Sequence, residues 1–271
     1  MFAGMNLTEV NNPNPFQAQV PLSPTWPSEA MPPLGCAYFV GFNPLLANDL
    51  GIAAISKYAY PPFVDGSCRR EPDFDHPKPI ITALCRKGMF APRLKPGDVV
   101  FYLNNIGTRK PLLEYHLVAV LQVTRRVSSH EKAADLYRKG GFVLPNNCMV
   151  GGSEPHGYDQ TIGPPLKQEG TDMGERFKET VLTNNAVRAK GLLAGWDKQY
   201  WGIAHDAGNT KLKGVAFTNP HYVDLHKPKM ASREMLRSIF DGKVPGLLNP
   251  KAYRMEKGQA LLAALGLPLI K

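Results

Sequence analysis

"LKPGDVVFYLNN", residues 94–105, decides the fold class of this chain. Pro96 pre-sets the backbone for a turn, Gly97 tolerates a left-handed φ, and Asp98 can hydrogen-bond back onto the main chain, so Lys95–Asp98 reads as a tight turn. It feeds "VVFYLN" (99–104), a β-branched and aromatic run that suits a buried strand. Downstream, "YHLVAVLQVTRRV" (115–127) reads as a second strand, long enough to bend through a small barrel. Upstream, "CAYFVGF" (36–42) is a short apolar run of the same kind.

Helices are expected between and after these strands. "NPLLANDLG" (43–51) reads as a short helix ended by Gly51, and "IITALC" (80–85) as a short helix or a strand. In "SSHEKAADLYRKGG" (128–141), Ser128 and Glu131 match a capping box, Ala133, Ala134, Leu136 and Tyr137 form an apolar stripe, and Gly140 ends the helix. Beyond 141, "FVLPNNCMVGGSEPHGYDQTIGPP" reads as a long ordered loop. Residues 175–190 and 231–240 are predicted helices, the second capped by Ser232; 214–225 is a strand followed by a turn, and "GQALLAALGLP" (258–268) a short apolar helix. Strands and helices do not alternate as a doubly wound sheet requires, so the class is α+β. One domain is expected over 36–271, with a core in 36–150 and a helical and loop extension over 151–271. It follows a proline-rich arm (1–35) laid over the body through Phe16 and Trp26.

Charge is segregated along the chain. The net charge is +9, yet the first basic residue is Lys57, and residues 1–50 carry only Glu9, Glu29 and Asp49. The remaining 221 residues thus hold 32 basic against 20 acidic side chains. Such a balance attracts polyanions by steering and counterion release. Cys36, Cys68, Cys85 and Cys148 stand far apart with no close ligand pair, which argues against a zinc module or a disulfide scaffold and for a reducing compartment. With no signal-like or bilayer-length apolar run, the expected location is cytoplasmic.

The sequence contains no GxxxxGK[ST], no GxGxxG after a strand, no HExxH and no GxSxG, so no cofactor is expected. The chemistry concentrates in "DGSCRREPDFDH" (65–76) and its surroundings. Lys57, Ser67, Arg69, Arg70, Arg86 and Arg93 are the candidate ligand-binding polar groups, with Lys87 beside Arg86, because guanidinium forks hold phosphates or guanine edges. Tyr58, Tyr60 and Trp201 offer faces for a base. Glu71 and Asp73 orient the arginines, accept from exocyclic amines, or serve as general acid/base with His156, which sits beside Tyr158 and Asp159. A cation site from Asp65, Asp73, Asp75 and His76 is disfavoured by the neighbouring arginines, so no metal is expected. His116 is expected in a packed niche and His130 on the surface. "HDAGNTK" (205–211) and "NPHYVDLH" (219–226) are weaker site candidates, and Cys68, beside two arginines, is a candidate low-pKa thiol.

The turn Lys95–Pro96–Gly97–Asp98, the strand Val99–Leu103 and the strand Leu117–Val123 resemble the PUA-like superfamily that includes the ASCH, EVE and YTH domains, in which a Gly-Asp turn enters a barrel strand. Residues 36–150 are also similar to nucleotide-modification-associated domains of phages and bacteria. The resemblance implies a compact β-barrel whose concave face reads RNA or a modified base. Three functions are therefore in view. The first is binding of nucleic acid or a nucleotide, with modified bases among the ligands. The second is an enzyme acting on a modified nucleotide or base, and the third a protein-interaction module docking through the arm. Oligomeric state is open.

Overall fold

The computed structural model describes residues 26, 30–47, 49–65, 71–85, 90–104, 114–145, 147–150, 202–206 and 213–271. In chain order these form β1 (Ala37–Gly41), a 3-10 turn (Leu45–Ala47), α1 (Asp49–Tyr58), β2 (Ile80–Ile81), a 3-10 turn (Ala91–Arg93), β3 (Val99–Asn104), β4 (Glu114–Val127) and α2 (His130–Lys139). A π-helical turn (Gly202–Asp206) follows, then β5 (Val215–Val223), β6 (Lys229–Ser232), α3 (Arg233–Ile239), β7 (Ala252–Tyr253) and α4 (Met255–Ala264).

One sheet of seven strands runs β2-β5-β4-β3-β1-β7, with β6 also paired to β4. β1 and β3 are parallel, Ala37 opposite Val99 through Gly41 opposite Leu103, whereas β4 is antiparallel to β3, β5 and β6. β5 and β6 lie end to end along one side of β4, so the part of the chain after 151 supplies three strands of the same sheet. The architecture is α+β, but the expected barrel is corrected: the sheet is open. Its terminal strands β2 and β7 are two residues each, too short to ladder together, although β4 bends at register shifts against both β3 and β5.

The Gly-Asp turn is the keystone of the sheet. Asp98 N–H donates to Lys95 O (3.1 Å), and Gly97 takes φ +92°, which makes Pro96-Gly97 the centre of a type II turn. A Cβ at Gly97 would lie 2.1 Å from Pro33 O, so both sterics and φ demand glycine. The buried Asp98 carboxylate accepts Lys95 N–H (2.8 Å) at Oδ2 and Cys36 N–H (2.9 Å) at Oδ1. Asp98 O accepts Val123 N–H (2.8 Å), so this one residue joins the beginnings of β1 and β3 to β4.

Alternation sends side chains to two cores. Ala37, Phe39, Val99, Phe101, Leu103, Leu117 and Val120 face α3 and α4, through Leu236, Phe240, Leu261 and Leu262. Tyr38, Val40, Val100, Tyr102, Val118, Leu121 and Val123 face the irregular segment between α1 and β3, through Phe63, Phe74, Cys85, Phe90 and Leu94. β1 and β3 are buried on both faces, which is why their sequences are apolar without alternation. A third cluster sets α2 against β2 and β5, through Ala133, Ala134, Tyr137, Ile80 and Phe217.

Two helix boundaries differ from expectation. α1 runs through Gly51 rather than ending there; a Cβ at 51 would stand 1.8 Å from Leu45 O, so glycine lets the helix pack on the preceding turn. The N-cap of α2 is Ser129, not Ser128, its Oγ accepting Lys132 N–H (3.3 Å). Ser232 caps α3 as expected, accepting Met235 N–H (3.0 Å). Among the described residues, no helix is long and apolar enough to cross a membrane.

Candidate functional site

The chain between α1 and β3 is pinned to the sheet by aromatic side chains and by backbone bonds. Ala59, at φ +55°, turns the chain out of α1. Phe63 N–H then donates to Leu225 O (3.1 Å), while Leu45 and Leu46 N–H donate to Val64 O and Pro62 O (both 3.1 Å). Further on, Phe74 packs against Phe42 and Tyr102, with ring centroids 5.3 and 4.9 Å away. The acid-rich stretch is therefore part of the covering of one sheet face.

Two polar contacts organise this covering. Asp65 Oδ2 accepts Glu71 N–H (3.2 Å), which joins the two ends flanking residues 66–70. The Glu71 side chain is buried, with the residue only 5% exposed, and Cys85 Sγ donates to its Oε2 (2.9 Å). Glu71 is the chain neighbour of Arg70, and Cys85 of Arg86. One buried thiol–carboxylate hydrogen bond thus ties together the points from which both basic tracts continue.

Of the predicted site residues, Ser67, Arg69, Arg70, Arg86 and His156 lie outside the described residues, as do Cys68, Lys87 and Trp201. Lys57 and Tyr58 form the last turn of α1. Tyr60 and Asp73 are half-buried in the same covering, and Asp73 O accepts His76 N–H (3.0 Å). Arg93 is exposed and donates from Nη2 to Pro250 O (2.9 Å). His76 is buried with both ring nitrogens engaged: Nδ1 accepts Lys78 N–H (2.9 Å), which leaves Nε2–H to donate to Val143 O (2.9 Å). It is a strut between two loops. Among the described residues, no group of three His, Cys, Asp or Glu side chains is arranged to hold a metal ion.

Several polar anchors were not singled out in the sequence. Arg126 reaches from β4 to donate to Ala91 O (2.6 Å) and Leu94 O (2.8 Å), and burial pulls its pKa down. Its neighbour Arg125 stacks 5.0 Å from the rings of both Trp26 and Phe217. The pair "RR" at the end of a strand signals two cations on opposite faces, by the period of two. Trp26 meets the body as expected: its ring lies 5.7, 5.6 and 5.2 Å from Tyr137, Phe142 and Phe217, with Lys78 Nζ 5.7 Å away.

His130 is corrected from a surface residue to a fully buried one. Its Nδ1 accepts Met149 N–H (3.0 Å), and its pKa is driven down to about 3, by burial first and by the nearby His205 second. His205 Nε2 donates to Met149 O (2.7 Å) while Nδ1 faces Glu131 Oε1 (3.0 Å). Cys148, next to Met149, is buried, and burial pushes its thiol up to about 12, so it is an inert thiol at neutral pH. Within "NPHYVDLH", Asn219 Oδ1 accepts from Lys78 Nζ (2.5 Å) and His221 Nε2 donates to Gln122 Oε1 (2.7 Å). Gln122 Nε2 in turn donates to Pro32 O (3.3 Å), which helps hold the end of the arm on the sheet.

Comparison of the chain with protein-family models, curated proteins and solved structures returned no match.

Proposed function

We propose that the protein binds nucleic acid or a nucleotide through the basic tracts around residues 66–70 and 86–89. The observation that carries the reading is the Glu71–Cys85 hydrogen bond at 2.9 Å, which joins the chain points adjoining Arg70 and Arg86. Arg69, Arg70, Arg86 and Lys87 concentrate four cations into two short tracts, in a chain of net charge +9. Phosphate oxygens reward such clustering, and each contact releases counterions. The PUA-like likeness of residues 36–150 belongs to the same reading. It is supported by the Lys95–Asp98 turn joining β1, β3 and β4, and the open sheet departs from it.

Glu71 serves in this reading as the anchor of the clamp: its buried carboxylate is occupied by the Cys85 thiol. The test is retention of single-stranded and duplex DNA and RNA pools on a filter at low salt. Binding that weakens steeply with added salt, and that drops in the Arg69→Ala/Arg70→Ala/Arg86→Ala variant, supports the proposal. A wild-type chain that retains none of the four pools overturns it.

A further inference from the structure

The Trp26 contact describes a second site. Its ring belongs to the arm, but the walls around it belong to the body: Tyr137 of α2, Phe142 just beyond it, and Phe217 and Arg125 of the β5–β4 pair, with the Lys78 ammonium over the ring and bonded to Asn219 Oδ1. Trp26 is only half-buried in this position. The walls also hold one another without it: Tyr137 and Phe217 pack at 5.2 Å, and the Arg125 guanidinium lies 5.0 Å from the Phe217 ring. Tyr137 is tied independently of Trp26, its Oη donating to Lys78 O (2.5 Å). The body thus contributes an aromatic box with two cations lying over the ring it holds, and the arm fills it with a flat, electron-rich heterocycle.

A ligand matching every wall has a planar aromatic ring to stack and an anionic group within reach of Arg125 and Lys78. We infer that this box is a binding site for a nucleoside monophosphate or a nucleotide unit of a strand, and that Trp26 occupies it as an internal competitor. The inference rests on the nucleotide-binding reading above and adds a second contact point, built from residues other than those of the basic tracts. Because the arm and the ligand exclude each other, the apparent affinity is the intrinsic one reduced by the fraction of molecules with Trp26 out of the box. Removing the indole removes that competition.

The 271-residue chain is titrated with adenosine, guanosine, cytidine and uridine 5′-monophosphates, with adenosine and inorganic phosphate as controls, and binding is read by calorimetry. In wild type labelled with 15N at the tryptophan indoles, the Trp26 indole signal, assigned by its loss in Trp26→Phe, is followed through the same titration. At least one monophosphate is expected to bind Trp26→Ala about tenfold more tightly than wild type. That gain should fall about fivefold on adding Lys78→Ala, and saturation of wild type should move the Trp26 signal to the position of a solvent-exposed indole. Inorganic phosphate should leave the signal in place; a displacement by phosphate alone overturns the stacking role. The inference is also overturned if no monophosphate binds Trp26→Ala more tightly than wild type, or if the wild-type Trp26 signal stays fixed at saturation. Should Trp26→Ala not fold, the wild-type indole titration decides. A chain that retains oligonucleotide pools in a salt-dependent way while Trp26 never moves loses this site and keeps the basic clamp. One that retains no pool loses the clamp first.

Discussion

The two faces of the central sheet are covered in opposite ways. On one, α3 and α4 lay apolar side chains against Phe39, Phe101 and Leu117, and Gly258 lets α4 approach so closely that a Cβ there would be 2.6 Å from Phe101 Cζ. On the other, an irregular segment of chain is held by Phe63, Phe74 and Phe90 together with individual polar bonds, Asp65 to Glu71, Glu71 to Cys85, and Arg126 to Ala91 and Leu94. Helical covering is general: any complementary apolar stripe would do. Irregular covering is specific, because each exposed backbone group needs its own partner. The basic tracts proposed as a clamp adjoin this irregular segment in sequence, at Glu71 and Cys85.

The sharpest way to break this comparison is to cut one aromatic or aliphatic anchor from each face. Phe74→Ala is expected to lower stability by about 4 kcal/mol and Leu261→Ala by about 3 kcal/mol in urea unfolding, from lost burial and the cavity left behind. Only Phe74→Ala should also weaken oligonucleotide binding in the folded protein. Equal loss of binding in both would erase the functional difference between the faces. Asp98→Ala bears on the element both faces share. Two charge-assisted bonds from backbone N–H groups to the buried carboxylate are lost, so about 3 kcal/mol of stability should go with them. A change below about 1 kcal/mol would remove Asp98 as keystone.

Legibility follows the same division. The strands at 37–41, 99–104 and 114–127 and the helices facing the sheet could be read directly, because apolar runs and caps are local signals. Gly97 and Asp98 were legible as a turn, although not as the knot that ties three strands. Barrel closure was misjudged because it depends on the lengths of the edge strands, and β2 and β7 have two residues each. Glu71 was visible as one of the acids beside the arginines, but its partner Cys85 stands 14 positions away on an apolar run, where no spacing rule points to it. His130 was misread because its helix position alone suggested solvent. The chain at 147–150 and 202–206 that covers it has no periodic signature.

At His130, pH sharpens the comparison between buried polar groups and helical apolar ones. Folded His130 stays neutral down to about pH 3, whereas an unfolded histidine takes up a proton near 6.5. As pH falls between those values the unfolded chain binds a proton that the native one refuses, so stability is lost, at up to about 1.4 kcal/mol per pH unit. His130→Asn keeps an acceptor for Met149 N–H and should flatten the acid limb of a stability–pH curve. Superimposable limbs would contradict a buried neutral imidazole. The smallest effect is expected at Ala59, where φ +55° penalises a Cβ. Ala59→Gly should stabilise by about 0.5–1 kcal/mol, and any loss would mean that the turn into the irregular covering is not strained.

The central claim is that the irregular face carries a phosphate clamp, and the salt dependence of binding tests it most directly. Fluorescence anisotropy of a labelled single-stranded oligonucleotide, repeated across a series of salt concentrations, gives the slope of log K against log salt for wild type and for Arg69→Ala/Arg70→Ala/Arg86→Ala. If the clamp holds phosphates, the variant binds more weakly and its slope shrinks by about 2, roughly 0.7 for each single-strand phosphate contact removed. Identical slopes and affinities in the two proteins would contradict it.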